Sequence, residues 1–292
     1  MNPAGYLYAL AAFLCIGSYM VPVRFSSSKG MAFFPLLGLG LAATILALQG
    51  PLRELGAHPF WLGVMAVSGL LWACGQIFAY LTLEEISLSK AAVFFNLNSL
   101  FNIALGILLF KEASGGRALL FILWGGGVLF AGTWWVSRVQ AEPSRKENLK
   151  KGILFSLLAA FFWGIYFVPV KAIQIWGGAG SLPVLSLLAG LSLGGIVPIL
   201  LVALWGRKTE WNLSNVGWGL ATAFLWAAGM YCFLSANRLL GLSRAVPIVN
   251  SNALLYAGWS LFVFKELPFR QWPKVLAGTA LVVAGVSLMA AG

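Results

Sequence analysis

Ten apolar runs follow one another along this chain, at about 5–24, 31–50, 59–83, 89–110, 117–138, 152–173, 181–205, 214–236, 243–264 and 271–291. Each is about 20 residues long, the length a helix needs to cross a hydrocarbon core of ~30 Å. A strand of a membrane barrel would alternate polar and apolar residues over ~10 positions, and these runs do not. Backbone groups in a bilayer have no water to bond, so the runs are predicted as α-helices. Composition agrees, since 60% of the 292 residues are hydrophobic and only 9% are charged, against roughly 25% charged in a soluble domain. The expectation is an all-α integral membrane protein with ten transmembrane helices. No Lys or Arg precedes the first run, which therefore reads as a spanning helix and not a cleaved signal.

The same scarcity of charge removes whole classes of chemistry. His58 is the only histidine and the chain has no aspartate, which excludes a Ser-His-Asp triad and a multi-histidine metal site. No glycine-rich phosphate loop of the GxxxxGK[ST] or GxGxxG kind is present. Cys15, Cys74 and Cys232 lie inside apolar runs and suggest no disulfide framework. The net charge of +11 comes from Lys and Arg scattered between the runs, a pattern that reports topology and not a nucleic-acid partner. No cofactor and no metal are expected.

The longest polar stretch, 138–151, falls near the midpoint and divides five runs from five. Halves with an odd number of spans can be related only by inversion across the membrane. The halves do resemble each other. A shift of 154 residues aligns Trp72–Glu112 with Trp226–Glu266 without a gap, and 12 of the 41 pairs are identical. The matches include Trp72/Trp226, Gly75/Gly229, Asn96/Asn250, Asn98/Asn252 and Lys111-Glu112/Lys265-Glu266. Gly17–Val23 likewise matches Gly164–Val170, proline included. The predicted organisation is a first five-helix repeat (1–138), a cytoplasmic linker (139–151) and a second repeat (152–292). Inverted repeats are typical of secondary transporters, which bind substrate near the midplane between them. Thirteen Lys and Arg lie on the linker side and six on the other. That bias places the linker in the cytoplasm and both termini outside the inner membrane, although the linker itself supplies five of the thirteen.

The phrase ISLSKAAVFFNLNSLFNIALGILLFKE and its mate LSRAVPIVNSNALLYAGWSLFVFKE resemble the drug/metabolite transporter superfamily, whose fourth and ninth helices close on a Glu. Within it, SGLLWACGQIFAYLTLEEISLSKA and NLKKGILFSLLAAFFWGIYFVPVKA are similar to the glucose/ribose porter branch, which includes glucose-uptake proteins and L-rhamnose–proton symporters. The resemblance spans nearly the whole chain and implies ten helices and a small-molecule substrate, with protons as a coupling partner in the symporters. One departure is the triad Gly125-Gly126-Gly127, for which the tenth run offers only Gly278 as an evident counterpart.

Polar groups at membrane depth are costly and need a partner or a pathway. Asn96 and Asn98 lie near the middle of the fourth run, Asn250 and Asn252 near the middle of the ninth. At about 100° per residue, Asn98 shares a helix face with Asn102, and Asn252 with Tyr256, while Asn96 and Asn250 turn the other way. One Asn of each pair is thus expected to face a cavity, and the other to tie its helix to a neighbour. A purely cross-linking role for all four is the structural alternative. An amide offers a donor and an acceptor without charge, which suits a polyhydroxy sugar. Trp72 and Trp226, at the centres of the third and eighth runs, are candidates for the flat apolar face of a sugar ring. Gln76, one turn after Trp72, and Tyr19, Trp163 and Tyr166 near the midplane complete the candidate site. Pro22 and Pro169 occupy matching places and are candidate hinges.

The function expected is a secondary transporter that moves a small neutral metabolite, a monosaccharide above all, by alternating access. The alternative within transporters is an exporter of amino acids or other metabolites, which would want fixed charges near the midplane. A membrane enzyme would want an acid/base constellation that the runs do not hold. Glu84 and Glu85, at the end of the third run, are the candidates for proton coupling. If they do not serve, transport is facilitated diffusion.

Overall fold

The computed structural model describes residues 3–25, 59–110, 116–139, 147–176, 184, 187–195, 213–240, 245 and 248–291. The second apolar run and most of the seventh lie outside them. Among the described residues there are helices and no strand. In chain order the helices are α1 (Pro3–Ile16), α2 (Val21–Phe25), α3 (Pro59–Glu85), α4 (Leu88–Phe95), α5 (Asn98–Phe110), α6 (Gly116–Ser137), α7 (Leu149–Ile165), α8 (Phe167–Trp176), α9 (Leu213–Leu240), α10 (Asn252–Gly258) and α11 (Trp272–Ala291). Among the described residues, five helical stretches are long and apolar enough to cross a membrane: Pro59–Glu85, Leu119–Ser137, Leu149–Val170, Leu213–Leu240 and Phe269–Met289.

Apolar side chains fill the interior and also cover the outer surface, while several polar ones are buried. Leu123 and Trp124 on α6 and Phe224 on α9 are 63%, 71% and 75% exposed, while Ser68, Gln76, Thr82, Ser156, Thr222 and Thr279 are buried. Outward apolar and inward polar groups are what lipid as solvent selects. Several buried hydroxyls satisfy themselves on their own helix, as Thr82 does on the Phe78 carbonyl and Ser156 on that of Gly152.

Helices meet where small residues let their backbones touch. α6 packs along α11, with Gly125 against the Gly285 carbonyl and Gly132 against that of Gly278; an added Cβ at either would stand 2.6 Å from that oxygen. Of the glycine triad, Gly125 alone meets the tenth run, while Gly126 faces Leu100 and Gly127 has open space beside it. α1 packs on α9, and α7 packs on α3. These two pairings bring the first helix of each half against the third helix of the other.

Four of the predicted helices are interrupted near mid-length. Residues 17–20 separate α1 from α2, and Asn96-Leu97 separate α4 from α5. Tyr166 separates α7 from α8, and Ser251 precedes α10. In the first and sixth runs the cause is proline, which has no N–H for the carbonyl four residues back. Val21 takes the Ser18 carbonyl that Pro22 cannot reach, at 2.9 Å. Pro169 likewise cannot bond the Ile165 carbonyl, and the chain turns at Tyr166. The fourth run has no proline and simply tightens, with Leu97, Ser99 and Leu100 N–H groups bonding Phe94, Asn96 and Leu97 carbonyls at 3.0–3.1 Å.

Candidate functional site

The interruptions surround one central cavity. Its volume in this conformation is about 110 Å³, below the ~300 Å³ at which small-molecule sites usually begin. Asn96, Asn98, Asn250 and Asn252 all border it, as do Trp72, Trp226, Trp163, Tyr19, Tyr166 and Tyr256. The structure therefore brings together ten of the eleven expected ligand-contact residues and leaves Gln76 behind the wall. A regular helix would turn one Asn of each pair away; the tightened backbone at Asn96-Leu97 and Ser251 lets both reach the space. Asn250 also does the tying, its Nδ2 donating to Ser99 Oγ at 2.9 Å, while Ser99 donates to Asn98 Oδ1 at 3.3 Å. This chain of bonds links the fourth and ninth runs across the halves.

The two midplane tryptophans meet. The Trp72 and Trp226 rings lie 4.2 Å apart between centroids, tilted by 41°, and form an aromatic wall contributed by both halves. Trp163 packs edge-on against Phe95 at 5.1 Å. Gly75 makes room for Trp163, and Gly229 makes room for Ile16; an added Cβ would stand 2.5 and 2.7 Å from those side chains.

The carbonyls bared by the broken helices are occupied by hydroxyls from other helices. Tyr256 donates to the Ile16 carbonyl and Ser68 to that of Tyr166. Tyr19 donates to Gln76 Oε1 at 3.1 Å, and Gln76 is fully buried. Trp163 Nε1 is buried with no hydrogen-bond partner among the described residues. Among the described residues, the cavity wall carries no Lys, Arg, His, Asp or Glu.

Charge gathers instead at the linker-side end. Glu266 accepts from the Arg24 guanidinium at 2.9 Å, the Leu88 N–H at 2.8 Å and the Ser260 hydroxyl at 2.7 Å. Arg24 also donates to the Ile86 carbonyl. Lys265 adopts φ 49°, the left-handed cap that ends the ninth run and lets the Glu266 N–H return to the Ser260 carbonyl at 3.0 Å. Glu147 pairs with Lys90 and accepts from the Ser87 N–H at 2.8 Å. Two carboxylates from the second half and the linker thus sit at the N-terminus of α4, where the helix dipole favours negative charge. Glu266 joins the two halves through Arg24 and the Leu88 N–H. Glu84 and Glu85 end α3, away from the cavity. Pro22 and Pro169 lie just past the breaks at 17–20 and 166, in α2 and α8.

Sequence reading missed Phe95, Phe167 and Phe233, which border the cavity; nothing in an apolar run distinguishes a lining Phe from a packing one. It also missed the Arg24–Glu266 contact. The signal available was the rarity of acidic residues, which makes each of the eight Glu worth a named partner.

An uncharged, largely apolar cavity with a few amides and phenols, set between interrupted helices, is the kind of site that secondary transporters use. The chain belongs to the Sugar transport protein family, whose model matches residues 7–197. The model of the EamA-like transporter family matches residues 150–291. The chain is 27% identical over 241 residues to the "Probable glucose uptake protein GlcU" of Priestia megaterium, covering 79% of each. It is also 27% identical over 228 residues to the "Glucose uptake protein GlcU" of Bacillus subtilis (strain 168), covering 75% of this chain and 74% of that one. One solved crystal structure, 16% identical, superposes with a TM-score of 0.64 over 99% of this chain and 98% of its own, which marks a shared fold.

Proposed function

We propose that the protein carries a neutral monosaccharide, D-glucose or a close epimer, through the central cavity by alternating access. The observation that carries this is the wall itself: paired indoles, uncharged amides and phenols, with no charged side chain among the described residues. Indole faces suit the C–H groups of a pyranose, and amides replace the water its hydroxyls lose. An amino acid would bring a carboxylate and an ammonium into a wall with no counter-charge. The names of the glucose uptake relatives point the same way.

The architecture proposed is ten helices in two inverted repeats, 1–138 and 152–292, joined by the linker 139–151. Reciprocal packing supports it: α1 on α9 and α7 on α3, and Gly229 on Ile16 as Gly75 is on Trp163, residues that correspond in the repeat alignment. In this conformation Arg24–Glu266 and Lys90–Glu147 hold the linker-side end together, and release toward that side needs both pairs parted. The charge bias puts that side in the cytoplasm and both termini outside the inner membrane. No carboxylate among the described residues borders the cavity, so transport is facilitated diffusion.

Thermal unfolding of the purified protein against monosaccharides, amino acids and nucleosides tests the reading. Stabilisation by neutral monosaccharides alone is expected, by about 2.7 kcal/mol at a hundredfold excess over Kd. Stabilisation by amino acids and not by sugars would overturn it in favour of the exporter.

A further inference from the structure

Tyr19 and Tyr256 come from opposite halves, border the same cavity and have neighbouring hydroxyls. Each directs its single hydroxyl proton into the protein. Tyr19 donates to Gln76 Oε1 and Tyr256 to the bared Ile16 carbonyl. A phenol has one proton and further acceptor capacity on oxygen. With both protons engaged behind the wall, the two oxygens can offer a ligand only lone pairs. Gln76 shows no other evident role. It is fully buried, is not part of the cavity wall, and its Nε2 has no hydrogen-bond partner among the described residues. Tyr80, one turn further along α3, is buried beside it and turns its hydroxyl toward the Gln76 amide. The residue 154 positions after Gln76 is Met230, which also borders the cavity. The acceptor lock on Tyr19 therefore belongs to the first half alone and gives the site a polar direction.

We propose that Gln76 is a positioning residue that fixes Tyr19 as a hydrogen-bond acceptor, so that Tyr19 and Tyr256 together select a ligand hydroxyl that donates. This rests on the monosaccharide reading and sharpens it into a rule of recognition. At the position facing the tyrosines a hydroxyl is required for its proton. Fluorine, which cannot donate, fails there as completely as hydrogen does.

The test is equilibrium binding of D-glucose and its monodeoxy and monodeoxyfluoro analogues at C2, C3, C4 and C6 to the purified full-length protein. At one or more carbons the deoxy and deoxyfluoro analogues should lose affinity equally, by roughly threefold to tenfold, the range of one net hydrogen bond. In Gln76→Met, which installs the side chain of the repeat partner, the Tyr19 proton is freed. The fluoro analogue should then bind better than the deoxy analogue at that carbon. In Tyr19→Phe, glucose should bind no better than the deoxy analogue, a readout that stands even if Gln76→Met does not fold. Wild-type protein that accepts fluorine like hydroxyl at every carbon overturns the proposal, because Tyr19 would then be donating. So does a Gln76→Met variant with an unchanged analogue pattern. Wild-type protein with no saturable glucose binding overturns the glucose reading itself, a distinguishable result.

Discussion

The linker-side end and the central cavity treat polar groups in opposite ways. At the linker side Glu266 has three partners and Glu147 two, and the Arg24 and Glu266 side chains are only 14% and 5% exposed. In the cavity the polar groups are neutral, and Trp163 Nε1 is left without a partner among the described residues. Charge thus serves to hold helices together, where a saturated geometry offsets its desolvation. Neutral donors and acceptors serve at the centre, where incomplete pairing leaves capacity for a ligand. Ion pairs join the helices at the linker-side end, and neutral bonds such as Asn250 to Ser99 join them at the cavity.

Breaking the charged end should produce the largest change in stability. Glu266→Ala removes the counter-charge of the part-buried Arg24 guanidinium and leaves the Leu88 N–H and Ser260 hydroxyl without their acceptor. It should cost about 3–5 kcal/mol, read as a fall in Tm in detergent. A change too small to measure would mean that the contact is not formed in the membrane-extracted protein. Lys90→Met should cost less, about 1.5–3 kcal/mol, because the Glu147 it abandons still holds the Ser87 N–H. A loss equal to that of Glu266→Ala would erase the distinction between the two pairs.

The cavity should respond in affinity more than in stability. Trp72→Phe keeps an aromatic ring in the wall but breaks the Trp72–Trp226 match. Glucose affinity should fall measurably, and loss of the ring pair should lower stability by about 0.5–1.5 kcal/mol, less than Glu266→Ala does. Glu84→Gln with Glu85→Gln should do least of all, leaving the uptake rate and its response to an imposed pH gradient as in wild type. Loss of concentrative uptake in that double variant would move coupling back to the end of α3.

Much of this arrangement is legible in the residues, and the limits have physical causes. Runs long enough to span a bilayer mark the helices, and paired intramembrane Asn and Trp mark the centre, because polar or bulky groups there are costly to leave idle. Pro22 and Pro169 announce two of the breaks through a missing donor. The break at Asn96-Leu97 carries no such mark. The fourth run has no proline and the ninth has Pro247, four residues ahead of its break; the shift at each break lets Asn96 and Asn250 reach the cavity despite their face on an ideal helix. Gln76 shares the Trp72 side of α3 but stands behind Tyr19, since a helix face wider than the cavity mouth holds both wall and support. The Arg24–Glu266 contact joins residues 242 positions apart, and a local Lys-Glu neighbour conceals it.

The central claim is that a neutral sugar passes between the two halves through the paired asparagines. Uptake of labelled D-glucose into proteoliposomes, compared among wild type, Asn98→Ala and Asn252→Ala, tests it most directly. The account predicts saturable uptake by wild type and its loss in both variants, each folded and inserted with a near wild-type Tm. Wild-type uptake in both variants would contradict it and leave the four asparagines as cross-links between helices.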